Sequence, residues 1–137
     1  MKITGLAHFT IPVTDLKRAQ DFYEDVLGME VVQPERGNNG MVFLDAGGNC
    51  VILATVDKPI STAREQNIHH AFKVSHEDYI RARADLLEKK VEIVFEEDRQ
   101  GGAVNGPRFY FHDPDGNVLE IIDLTSYAGR NKLKGSN

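Results

Sequence analysis

Apolar and polar residues alternate in several short runs of this chain, while two longer runs place apolar residues three or four positions apart. Alternation with period two is typical of half-buried strands, and spacings of three and four are typical of amphipathic helices. The first half predicts a strand at 3–13, a helix at 16–27, and strands at 29–33, 41–45 and 50–56. Asp15 can cap this helix, and Gly28 can end it in the left-handed conformation.

The second half predicts the same order of elements. It contains a strand at 68–74, a helix from Ser75 to residue 90, a strand at 91–95, a polar loop at 96–107 and a hairpin at 109–123. The helix would bury its apolar side, which consists of Ile80, Ala84 and Leu87. Pro114 and Gly116 predict the turn of the hairpin, because proline presets φ and glycine accepts the positive φ of a reversal.

Matching positions in the two halves indicate an internal duplication. His69 follows His8 by 61 positions, and the Asp-x-x-Gly-Asn run at 113–117 follows the one at 45–49 by 68 positions. We therefore predict an α+β fold, in which two tandem βαβββ modules at 1–57 and 68–125 form a cupped mixed sheet. These modules would make a single domain at 1–127, with a linker at 58–67 and a polar tail at 128–137.

Composition excludes some function classes without naming one. The 137 residues are 41 % hydrophobic and 27 % charged, as in ordinary globular domains. The net charge of -5 argues against nucleic acid and anionic membranes as partners, and no apolar run approaches the about 18 residues that span a bilayer. The start of the chain lacks the apolar stretch of a signal peptide, and Cys50 is the only cysteine. We therefore expect a cytoplasmic protein whose partner is a small-molecule substrate.

One carboxylate interrupts an otherwise aliphatic strand near the end of the chain. Glu120 lies within Val-Leu-Glu-Ile-Ile-Asp at 118–123, where an ionised side chain is costly unless it is paired or bound to a metal. Strand parity places His8, His69 and Glu120 on the faces that the helices do not cover. Two imidazoles and a carboxylate form the facial ligand set of Fe(II) or Mn(II), with Zn(II) or Ni(II) as alternatives. We predict a divalent-metal site at these three residues, against the simpler interpretation that each is an incidental polar residue.

Four stretches, at 5–13, 19–28, 69–72 and 109–120, resemble the vicinal oxygen chelate superfamily. It includes glyoxalase I, extradiol dioxygenases, fosfomycin-resistance enzymes, methylmalonyl-CoA epimerase and bleomycin-resistance proteins. The resemblance covers about residues 1–125 and implies the glyoxalase/bleomycin resistance/dihydroxybiphenyl dioxygenase-like fold. It also implies a metal held by His8, His69 and Glu120, and a homodimer whose sheets combine.

The expected ligand set departs from part of this superfamily. Glyoxalase I and the epimerase resemble each other in a fourth protein ligand on the last strand of the first module. The 68-residue offset places Ile52 there, and a slip of one residue gives Leu53; neither side chain binds metal. A three-ligand site favours the dioxygenase and fosfomycin-resistance classes, and its presence argues against a purely sequestering, bleomycin-resistance-like role.

Further residues are predicted to surround the metal. Tyr110 is similar to a tyrosine of both three-ligand classes that donates to a substrate oxygen, and His112 is a candidate second base. The candidate substrate contacts are Thr10, Ile52, Lys73, Asn105 and Arg108. Aliphatic lining favours an apolar or aromatic substrate, so the first hypothesis is an extradiol dioxygenase-like enzyme acting on vicinal oxygens. The alternatives are a fosfomycin-resistance-type thiol or water transferase, a glyoxalase-like lyase and a binding protein that sequesters a small molecule.

Overall fold

Two compact units make up the part of the chain that the computed structural model describes, residues 1–60 and 67–129. The first unit consists of residues 1–60 and the loop Asp113–Asn117, and the second of residues 67–112 and 118–129. The linker and tail predicted at 58–67 and 128–137 lie mostly outside the described residues. No helix within the described ranges is long and apolar enough to cross a membrane.

The first unit contains one helical segment and a four-stranded sheet. Its elements are β1 (His8–Val13), α1 (Leu16–Asp21), which continues as a π-helical segment (Phe22–Val26), β2 (Glu30–Gln33), β3 (Met41–Ala46) and β4 (Asn49–Thr55). The strands lie in the order β1-β4-β3-β2, with β1 and β4 parallel and the other pairs antiparallel. The predicted βαβββ order is therefore confirmed for the first half.

The second unit repeats this arrangement. Its elements are β5 (His69–Val74), α2 (His76–Glu88), β6 (Phe95–Arg99), β7 (Val104–His112), β8 (Val118–Asp123) and β9 (Ser126–Tyr127). The strand order is β5-β8-β7-β6, again with a parallel pair at β5 and β8, and β9 pairs with β7. His8 lies opposite Cys50, and His69 lies opposite Val118. The duplication therefore extends to the hydrogen-bond register, and the α+β class is confirmed.

The first helical segment has two fully buried residues, Ala19 in α1 and Tyr23 in its π-helical continuation. The Asp15 side chain accepts a hydrogen bond from the Arg18 backbone amide at 3.0 Å, which confirms the predicted cap. The widened last turn ends at Gly28, whose φ of 70° lies in the left-handed region. Burial of the Tyr23 ring gives this short segment a large apolar contact area.

The second helix buries a different side from the one predicted. Ser75 caps it as expected, but Ile80 and Leu87 are 60 % and 48 % exposed, whereas Leu86 is only 2 % exposed. Tyr79 lies two turns before Leu86 and packs its ring 5.3 Å from that of Phe109. The apolar pattern permits either of two adjacent helical faces, and the aromatic contact with the sheet selects the face of Tyr79 and Leu86.

Leu86→Ala is expected to lower the free energy of unfolding by about 2–4 kcal/mol, because it opens a cavity beneath α2. Leu87→Ala is the matched control on the adjacent, exposed face and is expected to change it by less than about 0.5 kcal/mol. Urea unfolding followed by circular dichroism measures both values. Equal losses in the two variants would contradict this assignment of the buried face.

The strand β6 corrects the predicted loop at 96–107 and the predicted strand at 91–95. It begins at Phe95 and continues through Glu-Glu-Asp-Arg, pairing antiparallel with β7 so that Phe95 lies opposite Tyr110. Charged residues suggest a loop when they are considered alone, but an edge strand is commonly charged because charge discourages pairing with other chains. The shift in position adds an aromatic side chain beside Tyr110.

Candidate metal centre

Glu120 occupies the centre of the second sheet. It lies on β8 between Ala71 of β5 and Tyr110 of β7. Its residue is 1 % exposed, and its neighbours two positions away, Val118 and Ile122, are also buried. A carboxylate in this position is shielded from water and depends on its immediate polar neighbours.

The residues around Glu120 fit a divalent metal. Glu120 Oε1 lies 3.6 Å from His69 Nε2, and within the described chain this oxygen has no hydrogen-bond partner. A buried carboxylate oxygen facing an imidazole nitrogen is a donor pair that Mn(II), Fe(II) and Zn(II) accept. The structure therefore brings two of the three predicted ligands together through the parallel pairing of β5 and β8.

The third predicted ligand, His8, lies on β1 in the first unit and is exposed. Across residues 1–60 and 67–129, no group of three His, Cys, Asp or Glu side chains could hold a metal ion. His8 as the third ligand therefore stays a prediction. Its strand begins at His8 rather than at residue 3, so the histidine stands at the start of the ladder that pairs with β4.

Tyr110 adjoins both Glu120 and His69. Its ring makes an edge-to-face contact with the His69 ring, with centroids 5.2 Å apart, and a tilted contact with Phe95 at 5.7 Å. Burial raises the pKa of the Tyr110 phenol to about 12, and the neighbouring Glu120 acts in the same direction. At neutral pH the phenol is therefore a hydrogen-bond donor, as its predicted role toward a substrate oxygen requires.

Arg108 is the buried cation of this centre. It is 4 % exposed, and its Nη1 lies 3.6 Å from Glu120 Oε1. Its Nη2 donates to the Val104 carbonyl at 2.7 Å, and its Nε donates to the Gly106 carbonyl at 3.3 Å. The guanidinium is therefore held from one side by the backbone of its own strand and faces the carboxylate on the other.

Asn105 and Gly106 shape the chain just before Arg108. The Asn105 amide accepts from the Gly102 backbone amide and donates to the Gly102 carbonyl and to Ser126 Oγ. A Cβ added to Gly106 would meet the Asp123 carbonyl oxygen at 2.0 Å, so only glycine fits this approach of two backbones. The side-chain amide of Asn105 thus forms three hydrogen bonds with Gly102 and Ser126. Its predicted contact with a substrate would have to be made in addition to these bonds.

The remaining predicted residues lie on both sheets. His112 is on the same face of β7 as Tyr110, and its Nε2 is buried without a hydrogen-bond partner in the described residues. Lys73 is exposed on β5 and lies opposite Ile122. Thr10 and Ile52 lie opposite each other on β1 and β4 in the first unit. Their substrate contacts stay predictions.

The equivalence of Ile52 and Glu120 is visible in the strand register. Thr10 lies opposite Ile52 in the first sheet, and Ala71, 61 positions after Thr10, lies opposite Glu120 in the second. Ile52 is 7 % exposed and aliphatic. The first unit therefore offers no oxygen or nitrogen ligand at the position equivalent to Glu120.

Phe95 is the site residue that the sequence pattern missed. Its ring contact with Tyr110 depends on β6, which the charged run after Phe95 concealed. Parity across a predicted β6–β7 hairpin would have placed the two rings together. Arg99, also on β6, pairs with Glu97 at 2.9 Å at the surface.

Comparison with known proteins gives consistent matches over nearly the whole chain. A metallothiol transferase, FosB from Lysinibacillus sphaericus (strain C3-41), is 27 % identical over 139 residues, covering 97 % of this chain and 95 % of that protein. The mitochondrial methylmalonyl-CoA epimerase of Bos taurus is 34 % identical over 130 residues, covering 86 % of this chain and 73 % of that protein.

Solved structures share the fold. A mutant of the fosfomycin resistance protein FosX from Listeria monocytogenes, complexed with Mn(II) and 1S,2S-dihydroxypropylphosphonic acid, aligns with a TM-score of 0.73. The alignment covers 97 % of this chain and 99 % of that one, at 21 % identity. Residues 5–121 match the family model of the Glyoxalase/Bleomycin resistance protein/Dioxygenase superfamily. The chain belongs to that superfamily.

Proposed function

We propose that the protein is a divalent-metal-dependent enzyme that adds a thiol or water to a small, anionic, oxygen-rich substrate. The observation that carries this proposal is the buried Arg108 guanidinium, which lies 3.6 Å from the Glu120 carboxylate. A fixed cation beside a metal ligand favours substrates that bring negative charge to the metal. Lys73 would extend this positive face, because it lies in the register row that contains Ile122 and Arg108.

Similarity to a metallothiol transferase over 97 % of the chain supports this reaction class. The sequence alone favoured an extradiol dioxygenase and kept the fosfomycin-resistance type as its alternative. The similarity to FosB and FosX favours the fosfomycin-resistance type over the dioxygenase. The missing fourth ligand at Ile52 counts against an epimerase-like or glyoxalase-like site, despite the 34 % identity to the epimerase.

In this proposal His69, Glu120 and His8 hold the metal, with Mn(II) or Fe(II) as the preferred ion. When bound, the metal supplies Lewis-acid polarisation of the substrate oxygens. Tyr110 hydrogen-bonds to a substrate oxygen, and Arg108 binds the anionic group. His112, on the same face of β7 as Tyr110, would exchange a proton with the attacking thiol or water.

Turnover of an epoxide phosphonate tests the proposal. Protein loaded with Mn(II) is incubated with fosfomycin and either glutathione, cysteine or water alone, and the products are followed by ³¹P NMR. The thiolate or water oxygen bonds to an epoxide carbon, the carbon–oxygen bond opens, and the released oxygen takes up a proton. We expect a thioether or diol product that disappears in Tyr110→Phe and Arg108→Gln, whereas Arg81→Gln, a change on the exposed side of α2, keeps full activity.

An extradiol dioxygenase is the second candidate, favoured by the aromatic surface of Phe95 and Tyr110. Such a surface suits a planar ring better than a phosphonate. Oxygen uptake and a yellow ring-fission product from catechol, with Fe(II) bound and no reaction of fosfomycin, would establish this candidate and remove the first.

We further propose that the working form is a homodimer in which His8 reaches the metal of the other copy. Support comes from the exposure of His8 at the start of β1 in the first unit. His8→Ala and His69→Ala chains, each unable to bind metal alone, are expected to regain one site in each mixed dimer when they are unfolded and refolded together. A refolded mixture that binds no metal would show that each chain supplies all three ligands.

A further inference from the structure

Arg108 is the counter-ion of Glu120 in the second unit. Two of its nitrogens are held by the backbone carbonyls of Val104 and Gly106, and the third, Nη1, faces Glu120 Oε1 at 3.6 Å. Both side chains are almost completely buried, at 4 % and 2 % exposure. The pair therefore interacts with little screening by solvent.

The other carboxylate near Arg108 is already engaged. Glu97 lies opposite Arg108 in the β6–β7 register, but its side chain forms an ion pair with Arg99 at 2.9 Å. Among the described residues, the carboxylate that forms an ion pair with Arg108 is therefore that of Glu120. A buried guanidinium without a counter-ion is costly, so any ligand that takes over Glu120 also alters the energy of Arg108.

A divalent cation bound to Glu120 would destabilise the buried Arg108 guanidinium. The cation neutralises the carboxylate, and its remaining positive charge repels the guanidinium, so both metal binding and the burial of Arg108 become less favourable. A small oxyanion at Arg108 removes this repulsion and can itself approach the metal. The two binding events therefore share one free energy of coupling, and each must strengthen the other by the same factor.

We propose that Arg108 couples metal binding to substrate binding: its charge weakens metal binding at Glu120 when no substrate is present, and an oxyanion that engages Arg108 restores it. The proposal rests on the proposed function and adds one property to it. The metal is bound more tightly when the anionic group of the substrate is present at Arg108.

Calorimetric titration of untagged, metal-free protein with Mn(II), with and without saturating methylphosphonate, tests this coupling. We expect methylphosphonate to tighten Mn(II) binding to the wild type by about tenfold, a common size for such coupling. Arg108→Gln is expected to bind Mn(II) about tenfold more tightly than the wild type without the anion, and to lose most of the response to it. Arg108→Lys keeps the charge and is expected to retain the response, as is the surface control Arg81→Gln.

The outcomes separate the possible failures. Weaker Mn(II) binding in both Arg108→Gln and Arg108→Lys, with an unchanged anion response, would show that Arg108 only supports the loop and would overturn the coupling. If Arg108→Gln does not fold, the wild-type titrations still test the proposal. A wild-type Mn(II) affinity that is the same with and without methylphosphonate would overturn the coupling. Absence of Mn(II) binding to the wild type would instead refute the proposed function itself.

Discussion

Replacing His69 with alanine is expected to abolish stoichiometric Mn(II) binding. The imidazole Nε2 lies 3.6 Å from Glu120 Oε1, and alanine would leave the metal without one of three protein ligands. Partners outside the ligand shell already cost 10- to 100-fold in affinity when they are lost, so a direct ligand should cost at least about 100-fold. Metal analysis of untagged protein after loading and gel filtration measures the retained Mn(II) per chain.

His70→Ala is the matched control for this experiment. His70 neighbours His69 on β5 but points to the opposite face of the strand, because successive side chains alternate. It is expected to keep its Mn(II) and to lose stability instead. Metal loss in His70→Ala with retention in His69→Ala would overturn the assignment of the metal-binding face.

Asp113→Ala is expected to be the most destabilising single polar substitution that we describe, lowering the free energy of unfolding by about 3 kcal/mol. Asp113 is 5 % exposed, and its carboxylate accepts four hydrogen bonds within the first unit. The donors are the Tyr23 hydroxyl at 2.8 Å, the backbone amides of Asp115 and Asn117, and the Asn117 side chain. Alanine would leave these donors without a partner in a buried setting, where an unsatisfied group costs most.

The repeat supplies a control at the equivalent position. Asp45 precedes Asp113 by 68 residues and closes the corresponding turn of the first module, where its carboxylate accepts from the Gly48 amide at 3.1 Å in an exposed loop. Asp45→Ala is expected to cost less than about 1 kcal/mol, because water can replace that single bond. Chemical denaturation of both variants, monitored by fluorescence and circular dichroism, gives the two values. Similar losses would show that the buried bonds of Asp113 contribute little.

The order of the elements and the shared face of His69 and Glu120 follow from periodicity and duplication. Parity predicts that both side chains lie on the face that the helix does not cover, and the parallel pairing of β5 with β8 brings them to 3.6 Å. A parallel pair with a known register leaves little freedom for side chains on one face, which explains why parity was sufficient here.

Features that depend on which side chains pack or pair with each other were not predictable from the sequence pattern. Apolar residues occupy two neighbouring faces of α2, and the contact of Tyr79 with Phe109 decides between them. The burial of Arg108 depends on carbonyls of Val104 and Gly106, which a sequence does not reveal as acceptors. Charged residues in β6 concealed the edge strand that brings Phe95 to Tyr110, because composition does not distinguish a charged edge from a loop.

The most direct test of the metal centre is anomalous diffraction from crystals grown with Mn(II). We predict one anomalous peak per chain within bonding distance of His69 Nε2 and the Glu120 carboxylate, with a His8 imidazole as the third protein ligand. The same map would show whether that histidine belongs to the same chain or to a second copy. Peaks confined to surface carboxylates, with none at Glu120, would contradict the account.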